Sequence, residues 1–468
     1  MNIIVQQFSE KIYSLMGNYL CDGIFERGLS GFTEDLMKEL AEFGCEVTKY
    51  LVDKTEEIIF ELDDRKEQFE SLCKNDRTLI SIFGEIKFNR RYYKDKNTNN
   101  KVYLLDRAMG IEPNKRLLKN VLERLISMAV DTSYEDAGNN AAYGVKISRQ
   151  EVKNEIEKLN LNKDFYEEVK EKKRVKKLYV IADEDHVSLQ KGGIEEPRIV
   201  VVYDGIQKNG DRVILENKRY FGGIYRGRID DLWEEVASYI EDTYDTDYLE
   251  TIYILGDGGS WIKTGLEWLI KSKFVLDRYH LKKAINSIAG MEVKSQKKEV
   301  VQYKKQLKNA LKGLDFKAFE ELSNEIINNE TELSKQKRKK KNLGYILNNL
   351  EGVKNLYLYE DELHGCSAEG HVSHVLSDRM SSRPMGWCST NVDNMSKLRI
   401  LKANNISVKE VLERQDDLTN INEYKEIKEK AYRKMKNVHF APVSLPIMQF
   451  GKGSQRKFFK DLVDRIAV

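Results

Sequence analysis

Proline and cysteine are both scarce in this chain, five of each among 468 residues. So few prolines leave no long proline-rich linker between folded parts. The cysteines, at positions 21, 45, 73, 366 and 388, are odd in number and show no Cys-x-x-Cys spacing. That excludes a disulfide framework and points to a reducing compartment. No apolar run reaches membrane-span length, and the first residues lack the hydrophobic stretch of a signal peptide. The expectation is a soluble, cytoplasmic protein. An excess of one charge is missing as well: 78 Lys and Arg stand against 76 Asp and Glu, so net charge says nothing of a nucleic-acid partner. What is present is enough apolar material for a sizeable core, 41% of residues, under a dense charged surface, 33%. The length suits roughly three domains.

The most informative stretch is Thr251-Ile-Tyr-Ile-Leu-Gly-Asp-Gly-Gly-Ser-Trp-Ile-Lys263. Ile252 to Leu255 reads as a buried strand, and Gly256-Asp257-Gly258-Gly259 stops it. Trp261, Ile262, Leu266 and Leu269 then recur at helical spacing. Asp257 therefore sits at the carboxyl end of a strand, where α/β folds bind ligands and metals. Capping of the following helix is the plain alternative for a lone Asp there.

A second strand, Leu178 to Ala182, runs into Asp183 and Asp185, two carboxylates at a spacing that puts them on one face. Arg198–Tyr203 reads as the next strand. Arg212 to Tyr220 follows a hairpin signal at Asn209-Gly210. A helix near Ile229 to Tyr244 leads into the Asp257 strand. Three antiparallel strands, a helix and a further strand give the order of an α/β ribonuclease-H-like core, in which the Asp183 and Asp257 strands lie side by side. Phe274 to Leu276 is the fifth strand.

The third stretch is Gly365 to Trp387. Ser367 is a plausible N-cap, Val372, Val375, Leu376 and Arg379 follow at helical spacing, and Arg383-Pro384 ends the helix. Glu369 lies in its first turn, with Asp361, Glu362 and Asp378 as alternative acids. Two Asp and a Glu around Mg²⁺ or Mn²⁺ would serve two-metal phosphoryl transfer. His364, His371 and His374 with Cys366 and Cys388 invite a zinc reading, but their spacing matches no zinc-finger pattern.

Four runs, in this order, resemble the insertion-sequence transposases of the DDE class, most of all the ISLre-type family and more distantly the Mutator-like group. They are Ala-Asp-Glu-Asp-His-Val, Leu-Gly-Asp-Gly-Gly-Ser-Trp-Ile, Leu-Asp-Arg-Tyr-His and Cys-Ser-Ala-Glu-Gly-His-Val. The resemblance covers nearly the whole chain. It implies Asp183, Asp257 and Glu369 as catalytic, metal-holding residues. The family's Asp-x-x-His element falls on Asp277 and His280. Asp183 is preferred to Asp185 because it lies four residues before Val187, as in Mutator-like patterns; Asp185 and Arg379 are accessory candidates. Transposon ends and target DNA are the implied partners, a homodimer or higher oligomer on DNA the implied assembly, and the bacterial nucleoid the implied location.

Around this core the chain divides into stretches. Residues 1–110 read as helices, to about 75, and then a strand pair, Leu79 to Tyr93 with Val102 to Leu105. There Lys87, Arg90, Arg91 and Lys94 among aromatic residues suit either a phosphate backbone or a solvated face. Residues 111–172 hold a helix-turn-helix pattern, with Ser148 capping its second helix and Arg149, Gln150, Lys153 and Asn154 as the DNA-facing side. An ordinary helical hairpin fits the same pattern; the transposase resemblance favours the DNA reading, and so implies a mainly α, DNA-binding N-terminal region. The core occupies 173–281 and returns at 361–390. Between them, 282–360 is a basic helical insertion, with Lys335 to Lys341 carrying six basic residues in seven. The tail, 391–468, reads as peripheral charged helices, Val408 to Arg414 and Asn422 to Met435, with a basic loop at 450–457. Two other functions fit the same order of residues: a DNA-binding protein that has lost catalysis, and a ribonuclease-H-like nuclease that cuts without joining.

Overall fold

The computed structural model describes residues 2–20, 27–161, 171–210, 212–290, 298–363, 368–383 and 385–416. The sequence-predicted 422–435 helix and 450–457 loop, and the residues His364, Cys366 and Ser367, lie outside these. The stretches gather into two compact units, Met1–Glu155 with Val408–Val468, and Ile156–Ser407.

The first unit opens with three helices, α1 (Asn2–Asn18), α2 (Gly28–Glu61) and α3 (Asp63–Gln68). A long hairpin follows, β1 (Phe69–Ser81) with β2 (Gly84–Asp95), and β3 (Lys101–Val102) pairs with β2. Helix therefore ends at Gln68 rather than near residue 75. The polar run after Phe69 carries no apolar period; pairing makes it a strand, with Glu70 opposite Lys94 and Lys74 opposite Arg91. The stretch from Leu79 to Tyr93 is two strands, not one. Gly84, at φ +136, turns the chain between them. Leu104 and Leu105 belong not to a strand but to α4 (Leu104–Met109). The core of this hairpin is Ile59 of α2 with Phe69, Leu79, Ile86, Phe88 and Tyr93, all buried.

Next come α5 (Lys119–Asp131), α6 (Tyr134–Asn140) and α7 (Arg149–Glu157). The expected pair of short helices is present, each with its cap. Ser133 Oγ accepts from Asp136 N at 3.0 Å, and Ser148 Oγ accepts from Glu151 N at 3.1 Å.

The second unit is built on a five-stranded sheet. Its strands are β4 (Lys177–Glu184), β7 (Arg198–Tyr203), β10 (Arg219–Gly223), β11 (Thr251–Gly256) and β12 (Ser272–Leu276), in the order β10-β7-β4-β11-β12. The first three pair antiparallel, and β4, β11 and β12 run parallel. Two small hairpins stand apart: β5 (Val187–Ser188) with β6 (Ile194–Glu195), and β8 (Gly205–Asn209) with β9 (Arg212–Glu216). The third sheet strand is thus not Arg212 to Tyr220. Asn217, at φ +48, ends the β9 hairpin, and the sheet resumes at Arg219.

Helices flank the sheet. α8 (Ile229–Thr243) and α9 (Ser260–Trp268) meet where Gly265 gives room to the Trp233 ring. The basic segment holds α10 (Arg278–Ala289), α11 (Lys298–Lys312), α12 (Phe316–Asn328), α13 (Leu333–Leu347) and α14 (Leu350–Leu358). It is no loose insertion. α14 lies against β12, with Gly352 beside the Phe274 ring and Asn355 Nδ2 donating to Phe274 O at 2.8 Å.

α15 (Ala368–His371) continues through a π-helical stretch, Val372–Ser377, into a last turn, Asp378–Met380. α16 (Ser389–Ala403) buries Val392, Met395 and Leu398, and packs on β10. Residues 391–403 are therefore part of the core rather than a peripheral tail; α17 (Val408–Asp416) packs on α5 in the first unit. Among the described residues, no helix is long and apolar enough to cross a membrane.

Candidate active site

The registers of the parallel strands decide what meets at their carboxyl ends. Ile181 of β4 pairs with Leu255 of β11, and Gly256 of β11 with Leu276 of β12. Continued two residues past the first pair and one past the second, these registers put Asp183, Asp257 and Asp277 in one lateral row. Neighbouring strands lie about 4.8 Å apart, so adjacent carboxylates of such a row share one small space. Apolar β-branched and aromatic residues drive all three strands into the core, and the first acid on each marks where it emerges.

Local backbone geometry fixes each acid. Asp257 Oδ1 accepts from Gly259 N at 2.9 Å. Gly258 adopts φ +93, and a Cβ there would strike the Asn349 side chain, so glycine is required on both counts. Gly256 lets the chain pass the Ala182 carbonyl, 2.9 Å from where its Cβ would stand. Asp277 caps α10, and its carboxylate meets His280 Nδ1 at 2.8 Å.

The electrostatics bind the row together. Burial, and then the Asp257 charge, push the Asp183 carboxyl up to about 6, against the pull of a hydrogen bond from Glu184 N at 2.9 Å. His280 is raised chiefly by its bond to Asp277, with Asp257 and Asp183 adding to the effect. The three acids around the imidazole thus favour its charged form. Glu184, beside Asp183, is raised by burial and accepts from Trp261 Nε1.

The other sequence candidates are held differently. Asp185 is buried, but its oxygens accept from Ser381 Oγ, each at 2.9 Å, and from His186 N at 2.8 Å. Arg379 is buried with its guanidinium 4.8 Å from the centre of the Trp387 ring. Glu369 is exposed: α15 and its continuation bury Ala368, Val372, Val375 and Leu376, which turns position 369 outward. Among the described residues, no three His, Cys, Asp or Glu side chains are grouped to hold a metal ion. Asp361 and Asp378 have no tie to the row; Glu362 is bound by Tyr253 Oη and by Lys177 at 2.9 Å.

On α7, Arg149, Gln150 and Asn154 are exposed and Lys153 is half-buried. Arg149 pairs with Glu135, and Gln150 Nε2 donates to Asn154 Oδ1 at 2.7 Å. In the hairpin, Arg90 and Arg91 do not form a basic face. Arg90 is buried in an ion pair with Asp106, and Arg91 bonds Glu56 at 3.2 Å.

Two residues of the site carried no sequence signal. Tyr345 on α13 donates its hydroxyl to Asp257 O at 2.7 Å. Asn349 is buried with its Nδ2 on Tyr345 O at 2.9 Å, and its Oδ1 has no partner beside Gly258. Both sit 88 or more positions past Asp257, in a segment whose sequence announces only helix and positive charge.

The donors of the row are carboxylate oxygens, which suit Mg²⁺ or Mn²⁺. The Asp183 carboxyl is raised first by burial and then by the Asp257 charge, and a divalent cation would offset both. Asp183 and Asp257 therefore fit such an ion, with Asp277 committed to His280.

The fold and site thus define a mixed α/β protein with an acidic row across three parallel strand ends. The chain belongs to UPF0236, an uncharacterised protein family whose model matches residues 27–416. A UPF0236 protein of Caldanaerobacter subterraneus subsp. tengcongensis is 36% identical over 404 residues, 86% of this chain and 84% of the relative. Another from that organism is 37% identical over 376 residues, 80% of this chain and 78% of the relative, and its name joins eleven locus designations. A third, 35% identical over 413 residues, 88% of this chain and 85% of the relative, carries four.

Proposed function

We propose that this protein is a DNA transposase of the DDE class, which cuts and joins strands by metal-dependent phosphoryl transfer. The observation that carries the reading is the row of Asp183 and Asp257 on adjacent parallel strand ends, with Asp183 held near pKa 6 by burial and by its neighbour. The strand order β10-β7-β4-β11-β12 supports a ribonuclease-H-like core, since it puts the first and fourth strands side by side. Independent support comes from the relatives. One name spread over eleven loci of one organism is the trace expected of DNA that copies itself about a genome.

Asp183 and Asp257 would hold the ion. When bound, a divalent ion there activates the attacking oxygen and offsets charge on the phosphate. His280 keeps Asp277 fixed and, in its protonated form, would add positive charge beside the row, favourable to an incoming phosphodiester. Tyr345 and Asn349 brace the Asp257 turn from α13 and its end. Glu369 is the third acid that the motif resemblance implies, and α7 the element that would read DNA ends, with the protein acting as an oligomer on duplex DNA in the bacterial cytoplasm.

The test uses the full chain, Mg²⁺ and duplex DNA carrying the sequences that flank its gene. The wild type should nick the element's ends and join them to target DNA. Asp257→Asn should bind the same DNA and cut at background level. Cleavage by that variant near the wild-type rate would end the proposal; cutting without joining would leave a nuclease. Glu369→Gln, with fold and binding retained, should lose cleavage if Glu369 completes the site.

A further inference from the structure

The basic segment holds a half-open pocket that the proposed chemistry does not use. It lies between α10, α11 and α14 and has a volume of about 340 Å³. That is within the range of small-molecule sites, about 300–1,000 Å³. Four cations line it: Arg278 and Lys282 from α10, Lys304 and Lys308 from α11. One carboxylate, Glu360, opposes them, and it is already engaged by Arg278 at 3.6 Å and Lys312 at 3.4 Å. Among the described residues Lys282 and Lys308 have no acidic partner. The floor is different in kind. Leu281 and Leu356 are buried and Tyr357 presents an aromatic ring.

A solvated charge face has neither a concave pocket nor an aromatic wall. An apolar ligand would not need four cations, and a bare phosphate would leave the wall unused. The chemistry that satisfies both halves is a planar heterocycle joined to phosphate. The helical spacing supports it: residues 278, 281, 282 and 285 share one face of α10, so cations and apolar groups alternate around one opening.

We propose that this cavity binds a single phosphorylated nucleoside, its base against Tyr357, Leu281 and Leu356 and its phosphate on Lys282, Lys304 and Lys308. Stacking on a ring accepts any base, and lysines recognise phosphate as point charges. The nucleotide is either free in solution or an unpaired residue of a DNA strand.

The experiment uses the full chain and three probes: dATP, inorganic tripolyphosphate and a short oligothymidylate, with 8-azido-ATP for photolabelling. Calorimetry should show saturable dATP binding, and tripolyphosphate should bind more weakly by about tenfold or more, because it lacks a base to stack. Lys282→Ala with Lys308→Ala should weaken dATP by about tenfold or more at unchanged melting temperature, through lost phosphate charge. The azido label should map to the peptide holding Tyr357. Displacement of that label by oligothymidylate at lower concentration than dATP identifies a strand nucleotide as the occupant; the reverse order identifies a free one. Absence of saturation, equal affinity for tripolyphosphate, an unaffected double variant, or labelling elsewhere overturns the proposal. Asp257→Asn should bind dATP like the wild type, which separates this site from the acidic row.

Discussion

Asp183 offers a thermodynamic test that needs no substrate. Its carboxyl stands at about 6 in the folded protein against an ordinary 3.8, and a difference of that size corresponds to about 3 kcal/mol once both states are ionised. The sign follows from the direction. Below pH 3.8 the acid is protonated in both states and costs nothing. Between 3.8 and 6 the unfolded chain ionises first, so stability falls as pH rises. Above 6 the loss is complete. Asp183→Asn removes the ionisation, and the amide oxygen can still accept from Glu184 N. At pH 7.5, free of divalent ions, the variant should be more stable than the wild type by about 1–3 kcal/mol, a rise in melting temperature of about 3–10 °C. At pH 5 about half of that advantage should remain. Mg²⁺ should stabilise the wild type, by about 2.7 kcal/mol at a hundred times its dissociation constant, and leave the variant largely unmoved. Thermal unfolding followed by circular dichroism at the two pH values, with and without Mg²⁺, reads all four numbers. A variant no more stable than the wild type at pH 7.5, or equally favoured at both pH values, would refute the account of a buried carboxyl raised by its surroundings.

Three further outcomes are expected. Gly352→Ala puts a methyl group 2.5 Å from a Phe274 ring atom and 3.0 Å from Leu276 N, so it should cost about 1–3 kcal/mol in urea unfolding. His371 is held down to about 4 by burial first, then by Lys218 and His374, with Nδ1 3.1 Å from Tyr220 Oη. A lowered histidine contributes stability that is lost as pH falls, here from about 6.5 to 4, by at most about 3 kcal/mol, and His371→Gln should flatten that slope. Replacing Arg149, Gln150 and Lys153 by Ala should reduce the preference for element ends over random DNA in competition binding. An unchanged ratio with weaker overall binding assigns these residues to phosphate contacts instead.

Much of the site was legible because burial and chemistry alternate sharply there. Leu178 to Ala182 and Ile252 to Leu255 are unbroken apolar runs, and each ends in an aspartate, so strand, end and acid could be read together. The adjacency of those strands followed from the order of elements. The polar strand from Phe69 was not legible, because its partner across the hairpin makes it a strand, and cross-strand pairing leaves no period in one chain segment. Arg90 and Arg91 read as a basic face because their acids, Asp106 and Glu56, lie far off in sequence. Tyr345 and Asn349 were invisible for the same reason: a helix that braces a distant turn looks like any other helix.

Both borders of the five-stranded sheet are occupied from within the chain. On β10, the Asn404 amide takes both Tyr220 N and Tyr220 O, each at 2.8 Å, as a peptide unit of another strand would. On the other side, α14 lies along β12 and Asn355 takes the Phe274 carbonyl. An uncovered border is a template on which a second chain can add a strand, in assembly or in aggregation. This sheet is closed to strand addition from either flank. Strand addition to this protein is then a matter for other elements, such as the outer strand β1 of the first unit, and a nascent chain that forms the five-stranded sheet before residues 349–404 emerge is the form of that sheet most exposed to misassociation.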